Sequence, residues 1–140
     1  MNNVELLQNA RLFSNFTKSE CESVLSTAKT RSFPAGNTIV KEGDLGGVGF
    51  YLIMDGQVQV RKGDKVLATL GKGEFFGEMA LLLEKDTPRS ADVVAIQDTD
   101  CLILSRWGLR SAIKTHPDMA TKMMAALAQR LSETHKSLSE

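Results

Sequence analysis

The stretch "GFYLIMDGQVQVRKGDKVLATLGKG", from Gly49 to Gly73, decides the fold. It contains three short apolar or alternating runs, and each run ends in residues that favour a tight turn. The turns are at Asp55-Gly56, Lys62-Gly63-Asp64 and Gly71-Lys72-Gly73. Aspartate and glycine are typical of the tight turns that join antiparallel strands. Short strands at such regular spacing predict an antiparallel roll or barrel rather than a parallel sheet.

Similar strand patterns lie on both sides of this stretch, and helical patterns flank the whole. Further strands are predicted at Thr38–Val40, Ala91–Ile96 and Cys101–Leu104, and helical spacing of apolar residues covers Asn3–Ala28. We therefore predict a protein that is mainly β with flanking helices. Its core is an eight-stranded antiparallel β-roll of the double-stranded β-helix or jelly-roll type, with N-terminal helices and two C-terminal helices.

Capping signals set the helix ends. Thr17 and Glu20 form the pattern of a capping box at the start of the second helix. Ser105 is a suitable N-cap for a helix over Arg106–Thr115, and Pro117 suits the first position of a long last helix. We predict a single domain over residues 1–140, with helices in 1–30, the roll in 31–105 and helices in 106–140.

The last helix has an apolar stripe that predicts its buried face. The residues assigned to the stripe are Ala120, Met123, Met124, Leu127, Leu131 and Leu138. The methionines Met119, Met123 and Met124 are interpreted as flexible core or as contacts to a partner, rather than as a ligand site. The same helix is a candidate interface for a homodimer or for an effector protein.

The composition excludes several classes of function. Lysine plus arginine number 17 and aspartate plus glutamate also number 17, so the formal net charge is zero. A balanced charge offers no basic field to a nucleic-acid polymer, which we exclude as a partner. No apolar run reaches the roughly 18 residues of a membrane span, so membrane insertion is not expected. Cys21 and Cys101 lack a CxxC pattern and are expected as small core residues of a cytoplasmic protein.

The segment "GEFFGEMALLLEKDTPRSADVVA", Gly73 to Ala95, interrupts the regular succession of predicted strands. Met79–Leu83 predicts a short helix that begins just after Gly77, where free N–H groups and the helix dipole favour an anion. Arg89 is the sole arginine between Arg61 and Arg106. Its planar guanidinium group can hold two phosphate oxygens at once.

Glu78 lies beside this predicted anion site and would be repelled by phosphate unless it faces another group. A sugar hydroxyl is a natural donor for such a carboxylate, so phosphate and ribose together indicate a nucleotide. The GxxxxGK[ST] loop of triphosphate sites is absent from the sequence. A site with one arginine and one helix N-terminus therefore favours a ligand with a singly charged phosphodiester over a triphosphate.

At this point the sequence resembles the cyclic-nucleotide-binding domains of kinase regulatory subunits, gated channels and bacterial catabolite regulators. The motifs that carry the resemblance are Phe76-Gly77-Glu78-Met79-Ala80-Leu81 and Pro88-Arg89-Ser90-Ala91. They correspond to the family's phosphate-binding cassette, here residues 76–91.

The resemblance also implies a role for each ligand-binding residue. Arg89 would hold the cyclic phosphate and Glu78 the ribose 2′-hydroxyl. The remaining oxygens would be bound by backbone N–H groups near Ala80, Ser90 and Ala91. The last helix would supply a lid, for which Arg130 is the candidate, with Leu131 or Thr134 as substitutes. The alternative for Arg130 is a solvated surface arginine.

The resemblance implies a regulatory sensor for cAMP, placed ahead of cGMP, that repositions the C-terminal helices. Two alternatives remain open for the whole chain: a ligand-free interaction or scaffold domain, and the sensor half of a transcription regulator without its DNA-binding part. The alternative to ligand binding by Glu78 and Arg89 is a salt bridge between these two side chains.

Enzyme activity, a cofactor and a metal site are not expected. The sequence has no GxSxG motif, and its two histidines, His116 and His135, lie outside the predicted strands. A metal site in a small β-barrel would need several ligands from the strands. The nucleotide is therefore expected as a ligand, and no catalytic residue is assigned.

Overall fold

The structure is a computed structural model that describes residues 2–43, 49–77, 79–82 and 89–139. The helices are α1 (Asn3–Asn9), a 3₁₀-helix (Arg11–Phe13), α2 (Lys18–Leu25), α3 (Met79–Leu82), α4 (Arg106–Thr115) and α5 (Asp118–Ser139). The strands are β1 (Lys29–Phe33), β2 (Thr38–Val40), β3 (Phe50–Asp55), β4 (Gln57–Lys62), β5 (Lys65–Gly71), β6 (Phe75–Phe76), β7 (Asp92–Ala95) and β8 (Thr99–Leu104).

The strands form two four-stranded antiparallel sheets, in the orders β1-β8-β3-β6 and β2-β7-β4-β5. The tightest connection is at Gly56, whose backbone has φ +100° and lets β3 turn directly into β4. The predicted class, a mainly β antiparallel roll flanked by helices, is confirmed.

Alternation along β3 separates two apolar cores. Phe50 and Leu52 face the helices and pack in a cluster with residues of α1, α2, α4 and α5. Tyr51 and Ile53 face the inside of the roll, where they join residues of both sheets. One strand therefore belongs to both cores, because successive side chains of a strand point to opposite faces.

The predicted helix caps are present. The hydroxyl of Thr17 accepts a hydrogen bond from the Glu20 N–H at 3.1 Å, and the Glu20 carboxylate accepts one from the Thr17 N–H at 2.8 Å. The Ser105 hydroxyl accepts from the Gly108 N–H at 3.0 Å. Pro117 was expected at the first helical position, but α5 begins one residue later, at Asp118.

The N-terminal boundary differs from the prediction. The helical pattern was expected to continue to Ala28, whereas α2 ends at Leu25 and β1 starts at Lys29. β1 has only one buried residue, Phe33, because it is the edge strand of its sheet. A polar edge strand has little hydrophobic signal, so its sequence gave no indication of a strand.

The predicted apolar stripe of α5 is wrong in part. Met119 and Met123 are buried, but Met124 is 62% exposed and Leu131 is 58% exposed. α5 packs mainly on the 3₁₀-helix and on α4, and this contact buries the face that contains Met119, Met123 and Ala126. The prediction was wrong because the contact lies on the adjacent face of the helix.

Two ion pairs join α5 to the N-terminal helices. Lys122 Nζ donates to the carboxylate of Glu20 at 2.5 Å, and Arg11 Nη1 donates to that of Glu133 at 2.7 Å. Glu20 is buried and its side chain also caps α2. The Arg11–Glu133 pair is exposed and contributes little to stability by comparison.

A search of the described helices finds none whose length and apolar character would allow it to cross a bilayer. Cys21 and Cys101 are buried and unbridged, as expected. Burial raises the pKa of the Cys21 thiol to about 11 and that of Cys101 to about 12. Both thiols are therefore protonated at neutral pH and unsuited to nucleophilic or metal-ligating roles.

Candidate functional site

Arg89 precedes β7 and lies next to two glycines that are distant in sequence. Its Nη2 group donates a hydrogen bond to the Gly49 carbonyl oxygen at 3.2 Å. Its own carbonyl oxygen accepts a hydrogen bond from the Gly43 N–H at 2.9 Å. Backbone groups of Gly43, which follows β2, and of Gly49, which precedes β3, therefore fix the position of this arginine.

Gly77 lies directly against the guanidinium group of Arg89. A Cβ atom added to Gly77 would be 3.0 Å from Arg89 Nη1 and 2.7 Å from the Gly49 carbonyl oxygen. The backbone of Gly77 also has φ +82°, a conformation that side chains disfavour. Glycine is thus required at this position twice, for its backbone conformation and for the close approach of the arginine.

The structure brings the two cassette motifs together at one point. Gly77 from the first motif and Arg89 from the second are in contact, although eleven residues separate them in the sequence. α3 begins at Met79, close to the predicted start of the short helix. The predicted end of that helix, Leu83, is outside the described residues.

Two aromatic rings form the wall next to Gly77. The Phe76 ring stacks on the Tyr51 ring with a centroid distance of 4.8 Å and an interplanar angle of 5°. The pairing of β3 with β6 sets this contact, because Tyr51 and Phe76 are direct partners in the register. Phe33 lies on the other side of Tyr51, with its centroid 6.3 Å away.

The charge of Arg89 acts on the Tyr51 hydroxyl. Burial raises the pKa of Tyr51 above its usual range, and the positive charges of Arg89 and Arg31 oppose part of that rise. A positive charge has this effect because it stabilises the phenolate form. Arg89 and Arg31 are therefore described positive charges that act on this hydroxyl.

Arg89 is half-buried, and its guanidinium group forms no ion pair with any residue that the structure describes. The predicted alternative partner, Glu78, is outside the described residues, so the salt bridge between them stays untested. An arginine beside a glycine backbone is suited to binding an anion, because its guanidinium group carries five N–H donors. The aromatic wall next to it is suited to an apolar or planar group.

The other predicted site residues are distributed as follows. Met79 and Ala80 belong to α3, and only their backbone is described. Ser90 is exposed, whereas Ala91 is buried beside the start of β7. Arg130 is exposed on α5, whose main packing partners are the 3₁₀-helix and α4 rather than the roll. Its predicted role as a lid stays a prediction.

Gly49 and Tyr51 were missed by the sequence reasoning. Both lie in or next to a strand that was predicted correctly, but their nearness to Arg89 depends on the pairing of β3 with β6 and on a contact across 40 residues. The sequence pattern does not contain that register. The single available signal was a tyrosine among aliphatic residues on the inner face of β3.

No group of three or more histidine, cysteine, aspartate or glutamate side chains is arranged to hold a metal ion within the part of the chain that is described.

Comparison with known proteins agrees with this geometry. Residues 30–116 match the cyclic nucleotide-binding domain family. The chain is 37% identical to the cyclic AMP receptor protein of Thermus thermophilus over 132 residues, which cover 91% of this chain and 60% of that protein. It is 34% identical to a cGMP-dependent protein kinase of Plasmodium berghei over 71% of this chain and 11% of the kinase.

Solved protein structures with a similar fold are also found. The N-terminal domain of a transcriptional regulator from Streptomyces coelicolor superimposes with a TM-score of 0.86 at 25% identity, over 95% of this chain and 94% of that domain. The chain belongs to the cyclic nucleotide-binding domain family. It spans 60% of the length of the Thermus relative and a smaller share of the kinase.

Proposed function

We propose that this domain is a non-catalytic sensor that binds cAMP in preference to cGMP and transmits binding through its C-terminal helices. The observation that carries the proposal is the half-buried guanidinium group of Arg89, held against Gly77 at the edge of the roll interior. A cyclic nucleotide offers one singly charged phosphate, which matches one arginine. The purine and the ribose would extend toward the aromatic wall of Tyr51 and Phe76.

The base preference rests on the named relatives. The Thermus protein is a cyclic AMP receptor, and it matches a larger share of this chain than the cGMP-dependent kinase does. Because the relatives include a cGMP-dependent kinase as well as a cyclic AMP receptor, cGMP is the competing ligand. Ser90 offers an exposed hydroxyl near Arg89, and such a group can donate to a phosphate or to a purine edge.

The switching part of the proposal concerns α4 and α5. In the structure, α5 contacts the N-terminal helices through the buried Glu20, which pairs with Lys122, and through the exposed Arg11–Glu133 pair. Nucleotide binding shifts the helices only if the ligand prefers one arrangement over the other. We propose that phosphate capture at Arg89 draws in α3 and lets the last two helices repack over the roll, with Arg130 as the lid residue.

Isothermal titration of the purified domain with cAMP, cGMP and plain AMP tests the ligand. Saturable heat with a cyclic nucleotide and much weaker heat with AMP is the expected result. If the folded domain gives no heat with either cyclic nucleotide, it is a scaffold rather than a sensor. Heat of equal size with AMP would show that the cyclised phosphate is not what the site recognises.

Hydrogen exchange tests the switch separately. Amides of residues 117–137 are expected to exchange more slowly when the nucleotide is bound, because α5 gains packing. Identical exchange with and without nucleotide, under conditions where titration shows binding, would remove the switching claim and leave the binding claim intact.

A second candidate role is the sensor portion of a transcription regulator. The similarity to the Streptomyces domain, which belongs to a transcriptional regulator, supports this role. A pull-down from the source cells with and without cAMP tests it. Recovery of a DNA-binding polypeptide that depends on cAMP is expected, and recovery of only kinase or channel polypeptides would contradict it.

A homodimer or an effector contact through α5 is also proposed. Its support is the exposure of Met124 and Leu131, which lie seven residues apart on one side of the helix. Sedimentation at several protein concentrations, with Leu131→Ala as the comparison, would show whether two copies associate through this surface.

A further inference from the structure

Asp92, the first residue of β7, connects this strand through its side chain to the segment that follows β2. Its Oδ1 atom accepts a hydrogen bond from the Glu42 N–H at 2.6 Å. Glu42 lies just beyond the end of β2 at Val40, and Asp92 lies three residues after Arg89. The bond therefore ties the chain next to the arginine to a segment that is 50 residues away in the sequence.

This bond lies where the backbone pairing of β2 with β7 ends. The last Cα partners of the two strands are Val40 and Val93. Beyond that pair, the Glu42 N–H donates to the Asp92 carboxylate, and the Gly43 N–H donates to the Arg89 carbonyl oxygen at 2.9 Å. Two consecutive backbone donors thus hold the Arg89–Asp92 segment at both of its ends.

The Asp92 side chain lies on the outer face of its sheet. Val93 and Ala95 are buried in the core inside the roll, and side chains alternate along a strand, so Asp92 and Val94 belong to the opposite face. A ligand inside the roll would lie on the other side of the sheet. The carboxylate is therefore placed to act on the backbone that carries Arg89, rather than on the ligand itself.

Arg89 is held at its backbone and at its guanidinium group by different partners. Gly43 binds its carbonyl oxygen, and the Gly49 carbonyl accepts from its Nη2 group at 3.2 Å. A long arginine side chain loses conformational entropy when it is ordered, so an arginine that is already held in place binds an anion more tightly. The hold at Gly43 depends on where the Glu42-Gly43 segment lies, and Asp92 binds that segment.

We propose that Asp92 is a positioning residue for nucleotide binding: its carboxylate holds the Glu42-Gly43 segment, and this segment fixes the backbone from which Arg89 reaches the phosphate. The inference rests on the proposed function, in which Arg89 binds the phosphate. It adds a residue that lies outside both cassette motifs. The role requires an accepting oxygen and not a negative charge, so asparagine should be able to replace the aspartate.

The first test compares three variants by isothermal titration with cAMP. Asp92→Ala removes the acceptor and is expected to weaken binding about three- to tenfold, whereas Asp92→Asn keeps an acceptor and should retain most of the affinity. Asp98→Ala is the matched control, because Asp98 Oδ1 accepts from the Ala35 N–H at 2.9 Å, the same kind of bond beyond the other end of β7. It should leave the affinity unchanged. Circular dichroism and the melting temperature show that each variant is folded.

The second test follows the Gly43 amide by hydrogen exchange in the protein without nucleotide. Asp92→Ala should speed the exchange of this amide, because the segment that brings it to the Arg89 carbonyl is released. Asp98→Ala and Asp92→Asn should leave the exchange near the native rate. A general loss of stability would speed exchange at Gly43 in the Asp98 variant as well, so this measurement separates positioning from stability.

The outcomes separate this inference from the proposed function. If the native protein binds cAMP and Asp92→Ala binds it equally well, the role of Asp92 is wrong and the sensor function stands. Equal losses of affinity in Asp92→Ala and Asp98→Ala, or no recovery in Asp92→Asn, would also overturn the role of Asp92 alone. If the native protein binds no cyclic nucleotide, both are wrong. Weaker binding and faster Gly43 exchange in Asp92→Ala alone would support both.

Discussion

The two faces of the β1-β8-β3-β6 sheet differ in what they bury. On the helical side, Phe50 and Leu52 are completely buried and every neighbour in the cluster is apolar. On the roll side, Tyr51 and Phe76 keep a small exposed area, and the charged group of Arg89 lies next to them. The first face is packed against apolar side chains, and the second lies beside a cation.

Because of this difference, we expect the core that faces the helices to determine stability and the core inside the roll to adjoin the ligand site. Complete burial of large side chains contributes strongly to stability, so the helical core should determine how stable the domain is. A half-buried arginine beside an aromatic wall adds little to stability but can bind an anion. Variants on the two faces should therefore affect different measurements.

The largest effect is expected for Arg89→Ala. Loss of the guanidinium group should weaken cAMP binding by about two to four decades, which corresponds to roughly 3–5 kcal/mol, while the melting temperature changes little. Arg61→Ala is the matched control, since Arg61 bonds to Gln59 on the other sheet. A loss below tenfold for Arg89→Ala would count against the assignment.

Phe50→Ala should show the reverse pattern. Its ring is fully buried and meets Phe13 edge to face at 5.5 Å, so truncation is expected to lower the free energy of unfolding by about 3–5 kcal/mol. The affinity of the molecules that remain folded should stay near that of the native protein. A large loss of affinity with little loss of stability would show that the two faces are not independent.

Gly77→Ala tests the contact between the cassette glycine and Arg89. The added methyl group would collide with the Gly49 carbonyl and crowd Arg89 Nη1, so we expect binding to weaken at least tenfold, about 1.4 kcal/mol. Gly36→Ala is the control, because Gly36 also has positive φ, +91°, but no atom lies within 4 Å of the added group.

Both glycine variants should lose about 1–2 kcal/mol of stability from the disfavoured backbone conformation. Only Gly77→Ala should lose affinity. If titration shows equal affinities for the two variants, the position of Gly77 does not control the orientation of Arg89.

Glu20→Gln tests the attachment of α5, with a smaller expected effect. Burial would raise the pKa of Glu20, but hydrogen bonds from Lys122 and from the Thr17 backbone outweigh it and hold the pKa below the usual value. The variant should lose about 1–3 kcal/mol of stability at neutral pH. Glu22→Gln, on the exposed side of the same helix, should change stability by less than about 0.5 kcal/mol.

The lowered pKa also fixes the direction of the pH dependence. The stabilisation from Glu20 is complete above the pKa of an unfolded glutamate and is lost as the pH falls through the lower folded value. Denaturation curves of the native protein and of Glu20→Gln should therefore converge in acid. Curves that stay equally far apart at all pH values would contradict the ion-pair explanation.

The sequence was informative where local chemistry determines structure. The Asp55-Gly56 turn, the Thr17 capping box and the Ser105 cap depend on residues close together in the chain, and all three are present. The two cassette motifs were also recognised from the sequence, and the structure brings Gly77 of the first close to Arg89 of the second.

The sequence was less informative where distant pairing decides. β1 has a polar sequence and becomes a strand only through its pairing with β8. The exposed positions of Met124 and Leu131 depend on which side of α5 meets the 3₁₀-helix. Tyr51 joins the site only through the register of β3 with β6. These contacts depend on tertiary packing, and a residue pattern does not contain them.

A crystal structure of the domain with cAMP would test the central claim most directly. We expect a nucleotide inside the roll, with a phosphate oxygen about 2.7–2.9 Å from a guanidinium nitrogen of Arg89, the usual distance for such a charged pair. The purine should lie on the Tyr51 and Phe76 side. A nucleotide bound elsewhere, or an Arg89 side chain turned away from the phosphate, would contradict it.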